Sequence, residues 1–337
     1  MAKFKGKFLC IIAFSVFSLF LLGCDSKEDA SQVNSAENVN VNSGAVLKSE
    51  DGDYAVYDYR DKYVKSETDK LVLTYDKSSS SYIYRDENET FAVHGNKEFN
   101  IGVSDYYKLK ISPGGNYISY FINDNGMKLK VINLNDNNEV QIESNVSISG
   151  TLFDWYNDNC IVYYGVSNEG VNGLFTYNID DKKEELLYKL KEGYIAFLKG
   201  NVDNVLFLQL NFNNDRQLVI LDKDTKDAKV INDNIEEIKD AVCVDNDIYF
   251  VGKVKDNAES LYKISNGSTK RVAYDFPALI DIEKGIEKDS NDDVLFIGRN
   301  NLNSSKEQVY KYSADGSISS ISDEASDYAF LEYISFN

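Results

Sequence analysis

The chain has 337 residues, with 36 basic and 55 acidic side chains, one histidine and a formal net charge of −19 at pH 7. Hydrophobic residues make up 43% of the chain and aromatic residues 13%, so it can bury a core and wholesale disorder is excluded. The negative charge repels phosphate backbones, and no basic stripe with interleaved aromatic residues overcomes that repulsion. Nucleic acid is therefore excluded as the expected partner.

The amino terminus carries the pattern of an export signal. Three lysines precede the apolar run 8–22, which is shorter than the roughly 20 apolar residues that a transmembrane helix needs. The run ends in Leu21-Leu22-Gly23-Cys24, which resembles the lipobox of bacterial lipoproteins. This resemblance implies cleavage between Gly23 and Cys24 and acylation of Cys24. We therefore expect a lipid-anchored protein on the extracytoplasmic face of the cell membrane.

The segment after the signal is predicted to be a tether. Residues 24–52 are rich in Ser, Asn, Asp and Glu, contain no aromatic residue and show no helical or strand period. Loss of the three signal lysines leaves 33 basic and 55 acidic side chains, so the mature chain carries −22. The sequence thus divides into a signal peptide (1–23), a lipidated cysteine with a flexible tether (24–52) and a folded domain (53–337).

Short strands recur with one period in the folded domain. The clearest strands have a spacing of about 43 to 46 residues, with anchors at Ile118, Ile161, Val205, Ile248 and Val294. The strands that follow them keep nearly the same spacing and begin at Leu129, Leu174, Leu218, Leu261 and Val309. A weaker copy precedes both series at Leu71–Tyr75 and Tyr82–Tyr84. Four strands in each period of about 40 to 45 residues are typical of a β-propeller blade.

The best-preserved unit contains the turn Ser112-Pro113-Gly114-Gly115-Asn116, and it resembles the repeat of TolB-like propellers, whose turn usually reads Ser-Pro-Asp-Gly-Lys. Pro113 presets φ and the two glycines permit positive φ, so the inner strand can reverse into the next one. About 285 residues at a period of about 44 give roughly 6.5 units. We expect an all-β, six-bladed propeller whose terminal segment 328–336 completes the first blade. Seven blades remain open if Tyr54–Tyr59 and that segment belong to separate units.

No catalytic or metal motif accompanies the repeats. TolB-like propellers also occur on serine peptidases, yet the chain has no Gly-x-Ser-x-Gly elbow and no βαβ pattern, and its one histidine is His94. One histidine without a Cys-x-x-Cys pair predicts no zinc site. Cys160 and Cys243 are expected to be small core residues, too far apart for a disulfide. We expect no enzymatic activity, no metal and no cofactor.

Two groups of residues are candidates for ligand contact. Four acidic residues near the predicted starts of inner strands predict an acidic rim at one mouth of the channel, which would attract cations: Asp105, Glu192, Glu237 and Asp327. Trp155 and Tyr156 are candidate aromatic contacts for a sugar or a peptide, with packing in the core as the favoured interpretation.

These patterns predict a membrane-anchored binding scaffold without enzymatic activity, whose partner is a protein, a peptide or the cell wall. The alternative is a propeller enzyme of the lyase or glycosidase type that uses carboxylates at the channel mouth. A solute-binding lipoprotein is disfavoured, because that fold needs alternating strands and helices.

Overall fold

The computed structural model describes residues 37–102 and 105–333, which form seven antiparallel sheets. No helix in this part of the chain is long and apolar enough to cross a membrane. The predicted signal peptide, the cleavage and lipidation site at Gly23 and Cys24, and residues 25–36 of the predicted tether lie outside the described residues.

Each sheet is one blade, and the blades are numbered in chain order. Blades 1 to 3 contain β1 (Val46–Glu50), β2 (Asp53–Arg60) and β3 (Lys62–Lys65); β4 (Leu71–Asp76), β5 (Ser81–Asp86), β6 (Glu89–His94) and β7 (Lys97–Asn100); and β8 (Tyr107–Ile111), β9 (Tyr117–Asn123), β10 (Met127–Asn133) and β11 (Asn138–Glu139). Blades 4 and 5 contain β12 (Val146–Asn157), β13 (Cys160–Ser167), β14 (Asn172–Asn178) and β15 (Lys183–Lys189); and β16 (Tyr194–Gly200), β17 (Asn204–Leu210), β18 (Arg216–Asp222) and β19 (Ala228–Asn232).

Blades 6 and 7 contain β20 (Ile235–Val244), β21 (Asp247–Val254), β22 (Ser260–Ser265) and β23 (Ser268–Arg271); and β24 (Leu279–Ile280), β25 (Ile286–Lys288), β26 (Val294–Arg299), β27 (Gln308–Tyr312) and β28 (Ile318–Ser320). The last strand, β29 (Tyr328–Phe330), returns to blade 1. The inner strand of blade 7 is split into β24 and β25, with a 3-10 turn at Ile282–Lys284 between them.

The sequence pattern of each strand reflects its depth in the blade. The second strand is covered on both faces, so β17 is apolar at five of its seven positions and only its first residue is partly exposed. The inner strand has one covered face, so β16 alternates, with Ile195 buried and Tyr194 and Ala196 exposed. The predicted strand anchors from Ile118 to Val294 all lie buried in second strands.

The core is a ring of seven apolar clusters within the described residues. Each cluster lies between two neighbouring blades and takes side chains from both. The cluster between blades 5 and 6, for example, joins Phe197 and Leu208 to Phe250 and Tyr262. A single blade therefore cannot bury its own faces, and the closed ring supplies the missing partners.

The ring has seven blades, the larger of the two counts that the sequence left open. As expected, the terminal strand completes the first blade, because β29 pairs with β1 at Val46–Phe330, Leu47–Ala329 and Lys48–Tyr328. The additional blade consists of β1 to β3 together with β29, so Tyr54–Tyr59 and the terminal strand share one blade and do not belong to separate units, as the seven-blade alternative had assumed. The preferred count of six was wrong, because these strands follow the polar tether and do not continue the repeat series.

The predicted tether boundary at residue 52 was also wrong, since folded structure begins well before it. Val39, Val41 and Ala45 are buried between blades 1 and 2, and β1 occupies Val46–Glu50. We call residues 37–45 the strap. The prediction failed because the apolar side chains of this segment are separated by Asn and Ser, whose polarity is typical of a linker.

The turn after β8 has the predicted geometry. Gly114 and Gly115 have φ values of 78° and 69°, and the amide of Gly115 donates to the carbonyl of Ser112 at 2.9 Å. A Cβ atom on Gly115 would lie 1.9 Å from the Ser79 hydroxyl in the equivalent turn of blade 2. Glycine is thus required here both for the backbone angle and for the close approach of two blades.

Candidate functional site

A cavity of about 990 Å³ occupies the central channel and opens where the inner strands begin. We call this side of the ring the cavity face. The mouth is lined by residues at strand starts, such as Tyr107 and Tyr194, and by Arg216 at the start of a third strand. Tyr107 is 45% exposed and Tyr194 is 50% exposed. Large aromatic surfaces therefore face a concave space that a ligand can enter.

The wall of the cavity contains an ion pair that links three blades. Lys110 of blade 3 donates to Asp154 Oδ1 of blade 4 at 2.7 Å, and Asp154 Oδ2 accepts the backbone amide of Gly200 in blade 5 at 3.0 Å. Burial raises the pKa of the Asp154 carboxyl, but Lys110 and the Gly200 amide outweigh burial and hold that pKa below its usual value. Asp154 is therefore a charged structural link in the channel wall.

The same arrangement recurs two blades further round the ring. Lys199 donates to Asp240 Oδ1 at 2.6 Å, and Asp240 Oδ2 accepts the backbone amide of Ile286 at 3.0 Å. Burial alone would lower the pKa of Lys199, but the carboxylates of Asp240 and Glu287 raise it above its usual value. The two arrangements together join blades 3 to 7 through side chains that face the channel.

A third pair joins blade 7 to blade 1. Lys284 donates to Asp327 Oδ1 at 2.5 Å and to the carbonyl oxygen of Tyr328 at 2.8 Å, and it also contacts the Glu307 carboxylate. Asp327 in turn accepts the Tyr54 hydroxyl at 2.6 Å. We call the contacts made by Lys110–Asp154, Lys199–Asp240 and Lys284–Asp327 the channel pairs.

The sequence carries a spacing pattern that predicts the channel pairs, and this pattern is separate from the apolar repeat of the strands. The spacing between successive lysines of the pairs is roughly twice the blade period, and so is the spacing between successive aspartates. Each residue type therefore recurs in alternate blades. A search for apolar repeats cannot find them, because polar side chains on inner strands contribute nothing to that pattern.

The floor of the cavity carries two further carboxyl groups, from Glu287 and Glu332. The pKa of Glu287 is raised to about 8. Burial makes the largest contribution to this rise, and the negative charges of Glu332 and Asp240 raise the pKa further. Burial also raises the pKa of Glu332, whose carboxylate accepts the Thr74 hydroxyl at 2.8 Å. At neutral pH the floor therefore holds at least one carboxyl group that favours its protonated form.

Lys108 is a cation that the channel pairs do not neutralise. Its side chain is exposed to the cavity, and it makes no ion pair with any residue of 37–102 or 105–333. The surrounding channel walls and the neighbouring charge of Lys110 lower its pKa. An anionic group on a ligand would stabilise the charged form of a lysine in this environment, because it would supply the missing counter-charge.

The predicted acidic rim does not form as expected. Of its four residues only Glu237 lines the cavity, and its carboxylate pairs with Lys239 at 2.8 Å. Asp327 is engaged by Lys284, while Asp105 and Glu192 are exposed outside the cavity lining. For Glu237 and Asp327 the prediction did not consider the lysines that the fold brings to them, and these lysines compensate the two negative charges.

Trp155 and Tyr156 also lie away from the cavity. Trp155 is buried and stacks on Tyr117 with ring centroids 6.1 Å apart, so it is a core residue, as the favoured interpretation held. Tyr156 is half-buried, and its hydroxyl donates to the carbonyl of Lys223 at 3.2 Å. Neither residue lines the channel cavity, so their candidacy as contacts for a ligand there is withdrawn.

The remaining candidate chemistry lies outside the cavity lining. His94 Nδ1 and the Ser81 hydroxyl are 2.8 Å apart, within blade 2. Cys160 is buried, Cys243 is half-buried, and both are free thiols. Across residues 37–102 and 105–333, no three His, Cys, Asp or Glu side chains are grouped so that they could hold a metal ion.

Comparison with known proteins identifies the fold. No family model matches the chain, and no curated protein matches it. Among solved structures, the β-propeller domain of the Trilobed protease from Pyrococcus furiosus matches 82% of this chain and 93% of its own, with a TM-score of 0.53 and 14% identity. An oligogalacturonate lyase in complex with manganese matches 86% of each chain, with a TM-score of 0.52 and 10% identity.

A prolyl endopeptidase structure is also similar, with a TM-score of 0.53 and 11% identity. The match covers 73% of this chain and 42% of the endopeptidase chain. At these identities the likeness concerns the fold alone, and the chain is a seven-bladed β-propeller. The Trilobed protease propeller is described as having an open Velcro topology. In the present chain, by contrast, β29 pairs with β1 and closes the ring.

Proposed function

We propose that the chain is a lipoprotein held at the extracytoplasmic face of the cell membrane through Cys24, and that its propeller binds a protein, peptide or cell-envelope partner without turning it over. The export signal and the lipobox resemblance support the anchor. The observation that carries the binding function is the cavity of about 990 Å³, whose mouth combines exposed tyrosines with charged side chains of both signs.

The channel pairs favour binding over catalysis. Asp154 and Asp240 each accept a lysine and a backbone amide from other blades, so neither carboxylate is available as a nucleophile or a base. Their contacts hold the inner strands in place before any ligand arrives. A wall that is already ordered loses less conformational entropy on binding, which is the general advantage of a preorganised site.

The peptide class fits the lining best. Lys108 can bind an anionic group, and the Glu259 carboxylate lines the same cavity and can bind a cationic one. Tyr107 and Tyr194 present exposed aromatic faces there. A polypeptide segment supplies both signs of charge together with apolar side chains. We therefore propose an extended, mixed-charge segment of a partner protein as the occupant of the cavity.

The proposal is tested by photocrosslinking in the native membrane. A benzophenone amino acid replaces Tyr194 at the cavity mouth or, as the control, Val202, which is 90% exposed in the turn before β17. We expect one defined protein or cell-wall adduct from position 194 and none from position 202. Equal capture at both positions, or no adduct at position 194, would contradict the proposed binding site.

Glu287 supports a second candidate function, an enzyme of the lyase or glycosidase type. A carboxyl group whose pKa is about 8 is protonated at neutral pH and can serve as a general acid, with Glu332 as the second carboxyl group of the floor. The test is incubation of residues 25–337 with acidic and neutral oligosaccharides, followed by assay of new reducing ends and unsaturated products. Turnover that Glu287→Gln abolishes would replace the binding proposal with this one.

A further inference from the structure

The strap fixes the side of the propeller from which the amino-terminal segment leaves. The backbone amide of Asn42 donates to Asp58 Oδ1 at 2.7 Å, and Lys77 donates to the Asn42 side chain at 3.3 Å. The Tyr63 hydroxyl donates to the carbonyl of Gly44 at 2.8 Å. The strap is therefore attached to blades 1 and 2 by polar contacts as well as by its buried valines.

These contacts lie on the side of the ring opposite the cavity face. Lys77 belongs to the turn that joins β4 to β5, where an inner strand ends, and the turn of Gly115 packs directly beside it. The cavity mouth, by contrast, is built from the starts of inner strands such as Tyr107 and Tyr194. We call the side that carries the inner-strand ends the strap face.

The chain between the strap and the proposed lipid anchor is short. Only the segment 25–36 separates Cys24 from Glu37, the first described residue, whose carbonyl accepts the Tyr82 hydroxyl near the start of β5. Thirteen Cα–Cα steps span at most about 47 Å in any conformation, at about 3.6 Å per residue. The predicted boundary at residue 52 would have allowed more than twice this reach.

We infer that the strap face lies toward the membrane and that the cavity opens away from it, toward partners in the aqueous space or in the cell wall. This inference rests on the proposed lipid anchor. For the opposite orientation the short connection would have to climb past a blade, whose seven-residue strand β17 alone spans about 23 Å. About half of the available reach would be consumed, and the cavity mouth would be held within roughly 24 Å of the lipid, the length of chain that remains.

The charges of the strap face determine how closely it approaches the bilayer. The turns between first and second strands carry exposed aspartates in four consecutive blades: Asp158, Asp203, Asp245 and Asp292. Anionic lipid headgroups repel such a surface over about one Debye length, which is about 10 Å at 0.1 M salt. Asp292 is paired with Lys288 at 2.8 Å, so three of these four carboxylates oppose adhesion most directly, and the acyl anchor supplies the attachment.

The orientation is tested by energy transfer to a lipid-bound acceptor dye in phosphatidylcholine vesicles. Donor dyes are attached through a non-natural amino acid at Val202 or at Phe212, which are 90% and 75% exposed at opposite ends of β17. With the mature lipoprotein we expect roughly twofold greater transfer from position 202, because the strand separates the two sites by about 23 Å. Equal or reversed transfer would overturn the inferred orientation.

Flotation of the same vesicles separates this inference from the anchor on which it rests. The acylated protein should float with the vesicles, whereas a chain that begins at residue 25, and so lacks both the apolar run 8–22 and Cys24, should remain in the dense fractions and show no transfer from either position. Flotation with equal transfer would contradict the orientation alone. Failure of the acylated protein to float would overturn the lipid anchor, and the orientation with it.

Discussion

At the scale of single residues, Asp154 shows how one carboxylate can hold several blades in register. It is buried, and it accepts Lys110 from the preceding blade and the Gly200 amide from the following one. Removal of the carboxylate would leave both donors without their partner. When one member of a buried ion pair is removed, the unpaired charge that remains usually lowers the free energy of unfolding by more than the intact pair had raised it.

We expect Asp154→Ala to lower the free energy of unfolding by about 2–4 kcal/mol, slightly below the usual range for buried pairs because 24% of the Lys110 side chain is exposed. Urea denaturation measures the change. The control is Asp124→Ala, whose pair with Lys128 is more than half exposed and should contribute much less than a buried pair. Similar losses in both variants would show that Asp154 is not a structural link.

The effect of Asp154 should depend on pH in a defined direction. Its folded-state pKa is lowered, so its contribution is present above the unfolded pKa of about 3.9 and is lost as the pH falls through the folded value. The difference between wild type and Asp154→Ala should therefore shrink below about pH 4. A difference that stays constant down to pH 2 would contradict this account.

Glu287 should show the reverse dependence. Its pKa is raised to about 8 in the folded state, so between about pH 4.3 and pH 8 the folded chain binds more protons than the unfolded chain. Stability therefore falls as the pH rises, and Glu287→Gln, which mimics the protonated form, should be more stable than wild type by on the order of 1–3 kcal/mol at pH 8. The gain should vanish near pH 4.5, and exposed Glu192→Gln should show none at either pH.

At the scale of elements, the strap is the part of the fold that the sequence concealed. Second and third strands were predicted because burial on both faces makes them continuous apolar runs with a regular period. The strap buries only Val39, Val41 and Ala45, and β1 reads Val-Leu-Lys-Ser-Glu. The strand that completes its pairing, β29, lies at the opposite end of the chain, so no local pattern reveals it.

The strap should be required for stability although it contains no strand. A chain that begins at residue 46 loses two valines that are at most 3% exposed, and it should be less stable by about 3–6 kcal/mol than one that begins at residue 37. Val41→Ala alone should cost about 1–3 kcal/mol, against less than about 0.5 kcal/mol for exposed Val202→Ala. Thermal unfolding of the four chains measures these differences, and equal stability of both starting points would contradict them.

The candidate site was less accessible to sequence reasoning than the fold. Glu237 lines the cavity, but its partner Lys239 and the cavity cation Lys108 were not considered in the sequence-based prediction. Ion pairs such as Lys110–Asp154 join residues from different blades, far apart in the chain. These residues meet only because neighbouring blades pack against each other. The alignment of one blade against the next must therefore be known before such pairs can be assigned.

At the scale of the whole molecule, closure of the ring depends on one strand. Tyr328 and Phe330 of β29 are buried in the cluster between blades 7 and 1, and β29 also supplies the inner strand of blade 1. In a closed ring every blade has two neighbours. Without β29, blades 1 and 7 each lose part of one apolar interface, whereas blade 4 on the far side keeps both of its own.

Removal of residues 328–337 should therefore destabilise the ring from its ends rather than uniformly. We expect amide hydrogen exchange to accelerate roughly tenfold or more in β1, β2 and β26, and to change least in β13 and β14 of blade 4, because local opening free energies follow the loss of buried contacts. Phe330→Ala should give the same gradient in weaker form, and Phe212→Ala, which alters an exposed loop, should give none. Uniform acceleration in all blades would show instead that the propeller unfolds as one unit and that closure stabilises every interface equally. Unchanged exchange in β1 would show that β29 contributes little to holding the first blade in place.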